Sequence, residues 1–311
     1  MAPTRVLPVG IVQVSLAGVL WGTGGITLEV IRDHAELSFV TISGYRMLIA
    51  ALALVAAVVV LRRGAELLAL LRESPGSACL VGVGTGAYQA LYFGSVVEVG
   101  VTVATVVSLG LAPVLLTAAE AARDRRHPGA RRLLVVVVAL AGLVLVSVAA
   151  GGTDTGPRPW LGVALAVGSG TTYAATTALG RPISQRTDPL ALTTVATTAG
   201  AIALAPAALI AGGPLTTDAP VAIGALGYLG VMTMALAYGL LYAGLRTTSS
   251  TAAVIASLLE PVTAAVVAAA FLDERIGTLG LVGIVLILAA VAGAGREPVA
   301  EAGPAIRAAP D

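Results

Sequence analysis

Glu260 sits in the run Leu258-Leu259-Glu260-Pro261-Val262, with apolar residues on both sides and no other charge in its span. A carboxyl group in such surroundings is expensive, so its presence needs a reason. It could bind a cationic group, or take up and release a proton. It could equally be a packing carboxyl, hydrogen-bonded near the helix break that Pro261 makes. Arg46, in Gly44-Tyr45-Arg46-Met47, is the other charge inside an apolar segment. Its long side chain either snorkels outward or pairs with a carboxylate, Glu29 or Glu260. Tyr88, Gln89 and Tyr92 share a helical face at spacings of three and four. Tyr238 and Tyr242 do the same further along, and Trp21 and Tyr173 occupy matching places in two other segments. Aromatic and amide groups converging on one space would stack on and orient a small organic molecule. The alternative is an aromatic belt at a membrane surface, which suits residues near segment ends and fits Tyr88, Gln89 and Tyr238 poorly. The candidate substrate-binding set is therefore Trp21, Gln89, Tyr92, Tyr173, Tyr238, Tyr242 and Glu260, with Arg46 and Glu29 as a candidate ion pair or gate.

No catalytic constellation accompanies these residues. The two histidines, His34 and His127, fall in different charged loops, and the single cysteine, Cys79, permits no internal disulfide. No metal-ligand spacing and no Gly-rich loop with Lys is present, so neither a metal nor a nucleotide cofactor is expected. The residues read as a binding site and not as an enzyme's active site. Proton coupling through Glu260 is the one chemical step they suggest.

Composition says what must position them. Hydrophobic residues make up 57% of the 311 and charged residues 11%, with a mean hydropathy of +0.95. A soluble domain carries about 25% charged residues, so most of this chain's outer surface must face lipid. A net charge of +1 argues against nucleic acid as a partner. The apolar segments divide into ten spans, each of about 20 residues. They run roughly over 9–29, 39–61, 76–97, 101–122, 132–150, 159–179, 190–211, 219–243, 250–271 and 277–295. The linkers are short, and the polar stretch 296–311 reads as a disordered tail. The opening segment is long enough to span and reads as a first helix, not a cleaved leader.

All 18 basic residues are Arg. With the N-terminus placed in the cytoplasm, 14 fall on the cytoplasmic side, from Arg5 to Arg307, and three, Arg32, Arg158 and Arg275, on the other. That asymmetry orients the chain with both termini cytoplasmic. The two halves also echo each other. Pro113 and Pro261 lie 148 residues apart, and at the same offset Leu111 and Val114 match Leu259 and Val262. Five spans per half is an odd number, so the halves, 9–150 and 159–295, enter the membrane in opposite senses. Substrate sites in inverted-repeat carriers lie near the midplane between the repeats. A passive channel, or a scaffold or sensor that moves nothing, shares this architecture.

The motifs in combination resemble the EamA-domain family of the drug/metabolite transporter superfamily. In the second half these are Tyr242-Ala243-Gly244-Leu245-Arg246, Ser250-Thr251-Ala252-Ala253, Leu258-Leu259-Glu260-Pro261-Val262 and Leu272-Asp273-Glu274-Arg275-Ile276. In the first half, Leu20-Trp21-Gly22-Thr23, Tyr45-Arg46-Met47 and Ala112-Pro113-Val114 fit less fully. Ala112 stands where the second half has Glu260, and Arg123-Asp124-Arg125-Arg126 replaces the usual Gly-Glu-Arg ending. The resemblance implies an all-α fold of ten transmembrane helices in two inverted five-helix repeats. It further implies secondary transport, often export, of an amino acid, amine or drug-like metabolite across a bacterial plasma membrane. The expected partners are the small-molecule substrate and the lipid bilayer, with the protein a monomer or a homodimer.

Overall fold

The computed structural model describes residues 9–151, 157–271 and 276–295. Arg5, Arg275, Arg296, Arg307, the Leu272-to-Arg275 part of the motif and the expected tail 296–311 lie outside the described residues. The described chain is helical throughout, in the order α1 (Val9–Gly22), α2 (Gly24–His34), α3 (Phe39–Val60), α4 (Gly64–Glu73), α5 (Pro75–Val99), α6 (Val101–Asp124) and α7 (Ala130–Ala149). The second half continues with α8 (Pro159–Arg186), α9 (Pro189–Ile210), α10 (Pro220–Tyr228), a π-helical stretch (Leu229–Leu236), α11 (Ala237–Leu245), α12 (Ser250–Ser257), α13 (Leu259–Phe271) and α14 (Thr278–Ala294).

These helices form ten rods that alternate in direction. The first is α1 with α2, the eighth α10 through α11, and the ninth α12 with α13. Eight rods are both long and apolar enough to cross a membrane by themselves. The exceptions have physical causes. The sixth rod, α8, is 28 residues long but diluted by Ser, Thr and Gly, because it runs through the middle of the bundle, where Ser169, Thr176, Thr177 and Ser184 are buried. The tenth, α14, is fully apolar but only 17 residues long. Proline at the first turn starts α5, α8, α9 and α10, where its missing N–H costs nothing. Asp188 caps α9 by accepting from Leu190 N and Ala191 N at 2.9 and 3.2 Å. The first rod runs past the expected end to His34, and the sixth to Arg186. The short α4, not anticipated from sequence, presents Leu70 to the bundle, and at its start Arg63 pairs with Glu66 and Asp188.

The packing repeats itself when each rod is exchanged for the one five places on. The first rod packs on the eighth and ninth, and the sixth on the third and fourth. The second packs on the seventh, and the fifth on the tenth. Close approaches repeat likewise. A Cβ at Gly18 would meet the Ser257 carbonyl at 2.9 Å, and one at Gly170 the Ser108 carbonyl at 2.6 Å. Lipid supplies no hydrophobic drive between helices, so such small-residue contacts carry much of the association. Apolar side chains such as Leu52, Val59, Ile202 and Ile210 cover the outer face.

Candidate functional site

Three irregularities in otherwise regular rods meet at one place. The first rod breaks at Thr23, whose hydroxyl donates back to Leu20 O at 2.7 Å. The ninth breaks at Leu258, three residues before Pro261, where the proline ring crowds the preceding turn. The two breaks touch: there is no room for a Cβ at Gly22, which would come within 2.5 Å of the Glu260 carbonyl oxygen. The eighth rod widens into the π-stretch at the same level, a device that re-aims backbone groups and recurs at functional sites. The widened turn leaves Thr233 O free to accept from Trp21 Nε1 at 2.8 Å, while Thr233 Oγ1 accepts from the Arg46 guanidinium at 3.1 Å.

Around this junction lies a cavity of about 340 Å³. Trp21, Gln89, Tyr92, Tyr173, Tyr238 and Glu260 all line it, and so do Tyr88, Arg46 and Glu29. The aromatic groups obey the two-fold exchange. Trp21 meets Tyr238 edge-on with centroids 5.1 Å apart, and its counterpart Tyr173 stacks on Tyr88 at 5.0 Å. Tyr238 and Tyr242 lie 6.1 Å apart, and Tyr88 and Tyr92 6.4 Å. Tyr92 and Tyr173 are fixed by hydroxyl contacts to Thr105 and Ser257, at 2.8 and 2.9 Å.

Charge breaks the symmetry. Ala112, the counterpart of Glu260, is buried, so the Glu260 carboxylate has no equivalent in the first half. Glu260 belongs to the first turn of α13, where the helix dipole favours negative charge. Among the described residues neither Arg46 nor Glu29 forms an ion pair with it, and Arg46 and Glu29 do not pair with each other. Arg46 does not simply snorkel away either. It is drawn sideways to Thr233, and its buried Nε is left without a partner. Gln89 is 5% exposed and donates weakly to Thr85 O, while its Oε1 has no partner. Both residues line the cavity, and each keeps one buried polar atom without a partner among the described residues.

Tyr242, by contrast, is not among the residues lining this cavity: it is 2% exposed and packs behind Tyr238 against Gly180. Its spacing from Tyr238 is helical, but one turn further on the ring lies against Gly180. Of the readings open for Arg46, the ion pair is not formed among the described residues, and its hydrogen-bond acceptor is Thr233. Sequence reasoning also missed the mouth, where Arg32 lies 5.3 Å over the Phe39 ring and Phe39 stacks on Phe93 at 5.5 Å. Phe93 follows Gln89 by four residues, a spacing that could have flagged it. Nothing in the sequence marks Thr233.

The lining comes from the half of the bundle where α2 ends and α3 and α6 begin, and the cavity opens there. The arginine-rich end is closed. Glu120 of α6, Arg132 of α7 and Thr251 of α12 bond one another, with Thr251 Oγ1 2.7 Å from the Arg132 guanidinium and 2.8 Å from Glu120 Oε2. Arg181 Nε donates to Thr248 O at 2.9 Å. Gly10 and Gly244 bring α1 and α11 into backbone contact. The Glu120 cluster ties the first repeat to the second.

A ten-rod bundle of two inverted repeats, with a central cavity open at one end, is the architecture of a membrane carrier. The chain belongs to the EamA-like transporter family, whose profile it matches over residues 8–148 and again over 160–296. It is 29% identical over 278 residues to the uncharacterized transporter YwfM of Bacillus subtilis (strain 168), covering 88% of this chain and 90% of that protein. A solved crystal structure at 18% identity superposes with a TM-score of 0.76 over 92% of this chain and 96% of that one. The protein is thus a multi-pass membrane transporter, and the likeness to the crystal structure speaks for the fold alone.

Proposed function

We propose that this chain is a secondary transporter that exports a small amino acid or closely related zwitterion across a bacterial plasma membrane by alternating access, with both termini in the cytoplasm. The observation that carries this is the pairing of charges that do not pair. Glu260 and Arg46 line one cavity, bond neither each other nor any opposite charge, and leave an aromatic-walled space between them. A lone cation bound there would answer Glu260 but would leave Arg46 unanswered and repelling it. A zwitterion answers both: its ammonium faces Glu260, its carboxylate faces Arg46, and its body lies against the rings. In the empty carrier a proton neutralises Glu260, and the incoming ammonium displaces it. Protons entering the cell then drive substrate out.

The test is flux in proteoliposomes with labelled amino acids and small amines, with and without an imposed pH gradient. Saturable flux of amino acids that follows the gradient is expected. Flux that rises linearly with concentration and ignores the gradient would make the protein a passive facilitator. Thr233→Val removes the acceptor that fixes Arg46 and should raise the amino-acid KM about three- to tenfold, with kcat little changed; an unaltered KM would take Arg46 out of the site.

Alternating access also requires the closed end to open. Val254 is 0% exposed behind the Glu120–Arg132–Thr251 cluster. In a Cys79→Ser background, a cysteine at position 254 should react slowly with a water-soluble maleimide from the arginine-rich side. Adding Glu120→Gln should speed that reaction about tenfold, the worth of one partly buried charged hydrogen bond. An unchanged rate would mean the cluster does not hold the end shut.

A further inference from the structure

A second space adjoins the first. It has a volume of about 470 Å³ and shares Trp21, Tyr92, Glu29 and Glu260 with the central cavity. It runs between α2, α6 and α7 on one side and α13 and α14 on the other. Its character differs. Apart from the shared groups, two of its three polar side chains are engaged, Thr105 with the Tyr92 hydroxyl at 2.8 Å and Thr102 with Ser147 O at 3.4 Å, and the third is the Ser147 hydroxyl. The remaining walls are small or apolar, among them Ala149, Ala265, Ala268, Val267 and Gly280. Beyond the shared carboxylates, the side chains of its own walls carry three hydroxyls and no charge.

We infer that this chamber is the specificity site of the carrier and takes the apolar side chain of the substrate, so that the protein prefers amino acids with long unbranched aliphatic side chains. The inference rests on the zwitterion reading above and deepens it. An ammonium held at Glu260 puts the substrate's Cα at the point where the two spaces join. The carboxylate occupies the arm with Arg46, and the side chain has the other arm, whose own walls are mostly small or apolar and would be wetted at a cost if left empty. Alanine at positions 149 and 268, on opposite walls, leaves the chamber its width. Neither is fully buried, so a larger residue at either place grows into the chamber and not into packed neighbours.

The chain contains two tryptophans. Trp160 is 88% exposed on the outer surface, so in a Trp160→Phe background the fluorescence of Trp21 reports on the cavity. Titrating purified protein with alanine, 2-aminobutyrate, norvaline and norleucine should show Kd falling about threefold for each added methylene. Adding Ala268→Leu, or separately Ala149→Leu from the other wall, should bring the ratio of alanine Kd to norleucine Kd close to one. A flat series in the parent protein, with alanine still bound, would overturn the chamber assignment alone; a lipid acyl chain resident there would give that result. The same slope in parent and both leucine variants would overturn it too. No binding of any member would defeat the zwitterion reading and this inference with it.

Discussion

Glu260→Gln is expected to lower kcat/KM for amino-acid flux about ten- to hundredfold, the loss of one charge-assisted hydrogen bond in a water-poor site. The substitution keeps the volume and shape of the side chain. It also breaks no contact seen in the structure, since Glu260 has no side-chain partner among the described residues to lose. The variant should therefore insert, fold and elute as the parent does. Two effects then separate. The neutral amide cannot hold the substrate ammonium, so binding weakens. It cannot exchange a proton either, so whatever flux remains should no longer follow an imposed pH gradient. Glu260→Asp keeps the charge but withdraws it by one methylene, and should retain gradient-driven flux at a lower rate. Normal gradient-driven transport by Glu260→Gln would reduce Glu260 to a packing carboxyl beside the Pro261 break.

Gly142→Leu is expected to destabilise the bundle by about 3 kcal/mol or more, the upper range of overpacking costs. The fifth and tenth rods cross here across the two-fold axis. A Cβ at Gly142 would lie 2.8 Å from Gly283 O and 2.9 Å from Ile287 N, and a Cβ at Gly283 would lie 2.8 Å from Gly142 O. Backbone presses on backbone on both sides, so no side-chain rotation can relieve the clash and the rods must separate. Thermal unfolding in detergent, followed by size-exclusion or fluorescence, should show a markedly lower Tm or no folded peak. Gly44→Ala provides the contrast. Nothing lies within 4 Å of a Cβ at that position, and alanine favours the helix by about 1 kcal/mol, so its Tm should hold or rise. Equal effects of the two substitutions would mean that the α7–α14 crossing is not a tight contact.

What the sequence made legible was what periodicity and composition can carry. Ten apolar spans follow from segment length. The odd number of spans per half, with Pro113 and Pro261 in register, pointed to inversion. The face shared by Tyr88, Gln89 and Tyr92 pointed to their lying together, as they do along one cavity, because helical spacing is a local property. What stayed hidden depends on how rods meet. The π-stretch at Leu229–Leu236 has no residue signature, so Thr233 could not be seen as the group that links Trp21 and Arg46. Tyr242 matched Tyr238 in spacing but packs against Gly180 of the sixth rod, a contact between residues far apart in the chain. The break at Thr23 had a visible cue in the neighbouring Gly22, Gly24 and Gly25, but its contact with the Glu260 turn joins residues far apart in the chain. The short α4, ten residues between charged ones, escaped notice because it is too short to span and reads as a loop. The second chamber is a property of small residues on five different helices, and small residues are everywhere in this chain.

The central claim is a carrier that binds a zwitterion between Glu260 and Arg46 and exposes it to one side at a time. Counterflow tests it most directly. Proteoliposomes are loaded with unlabelled norleucine, diluted into a trace of labelled norleucine, and the label is followed with no ion gradient imposed. Transient accumulation of label above its equilibrium level, present in the parent protein and lost in Glu260→Gln, is the expected result, because only a carrier that returns loaded exchanges one molecule for another. Label that merely equilibrates, at a rate indifferent to the unlabelled load, would contradict it and leave a passive pore in its place.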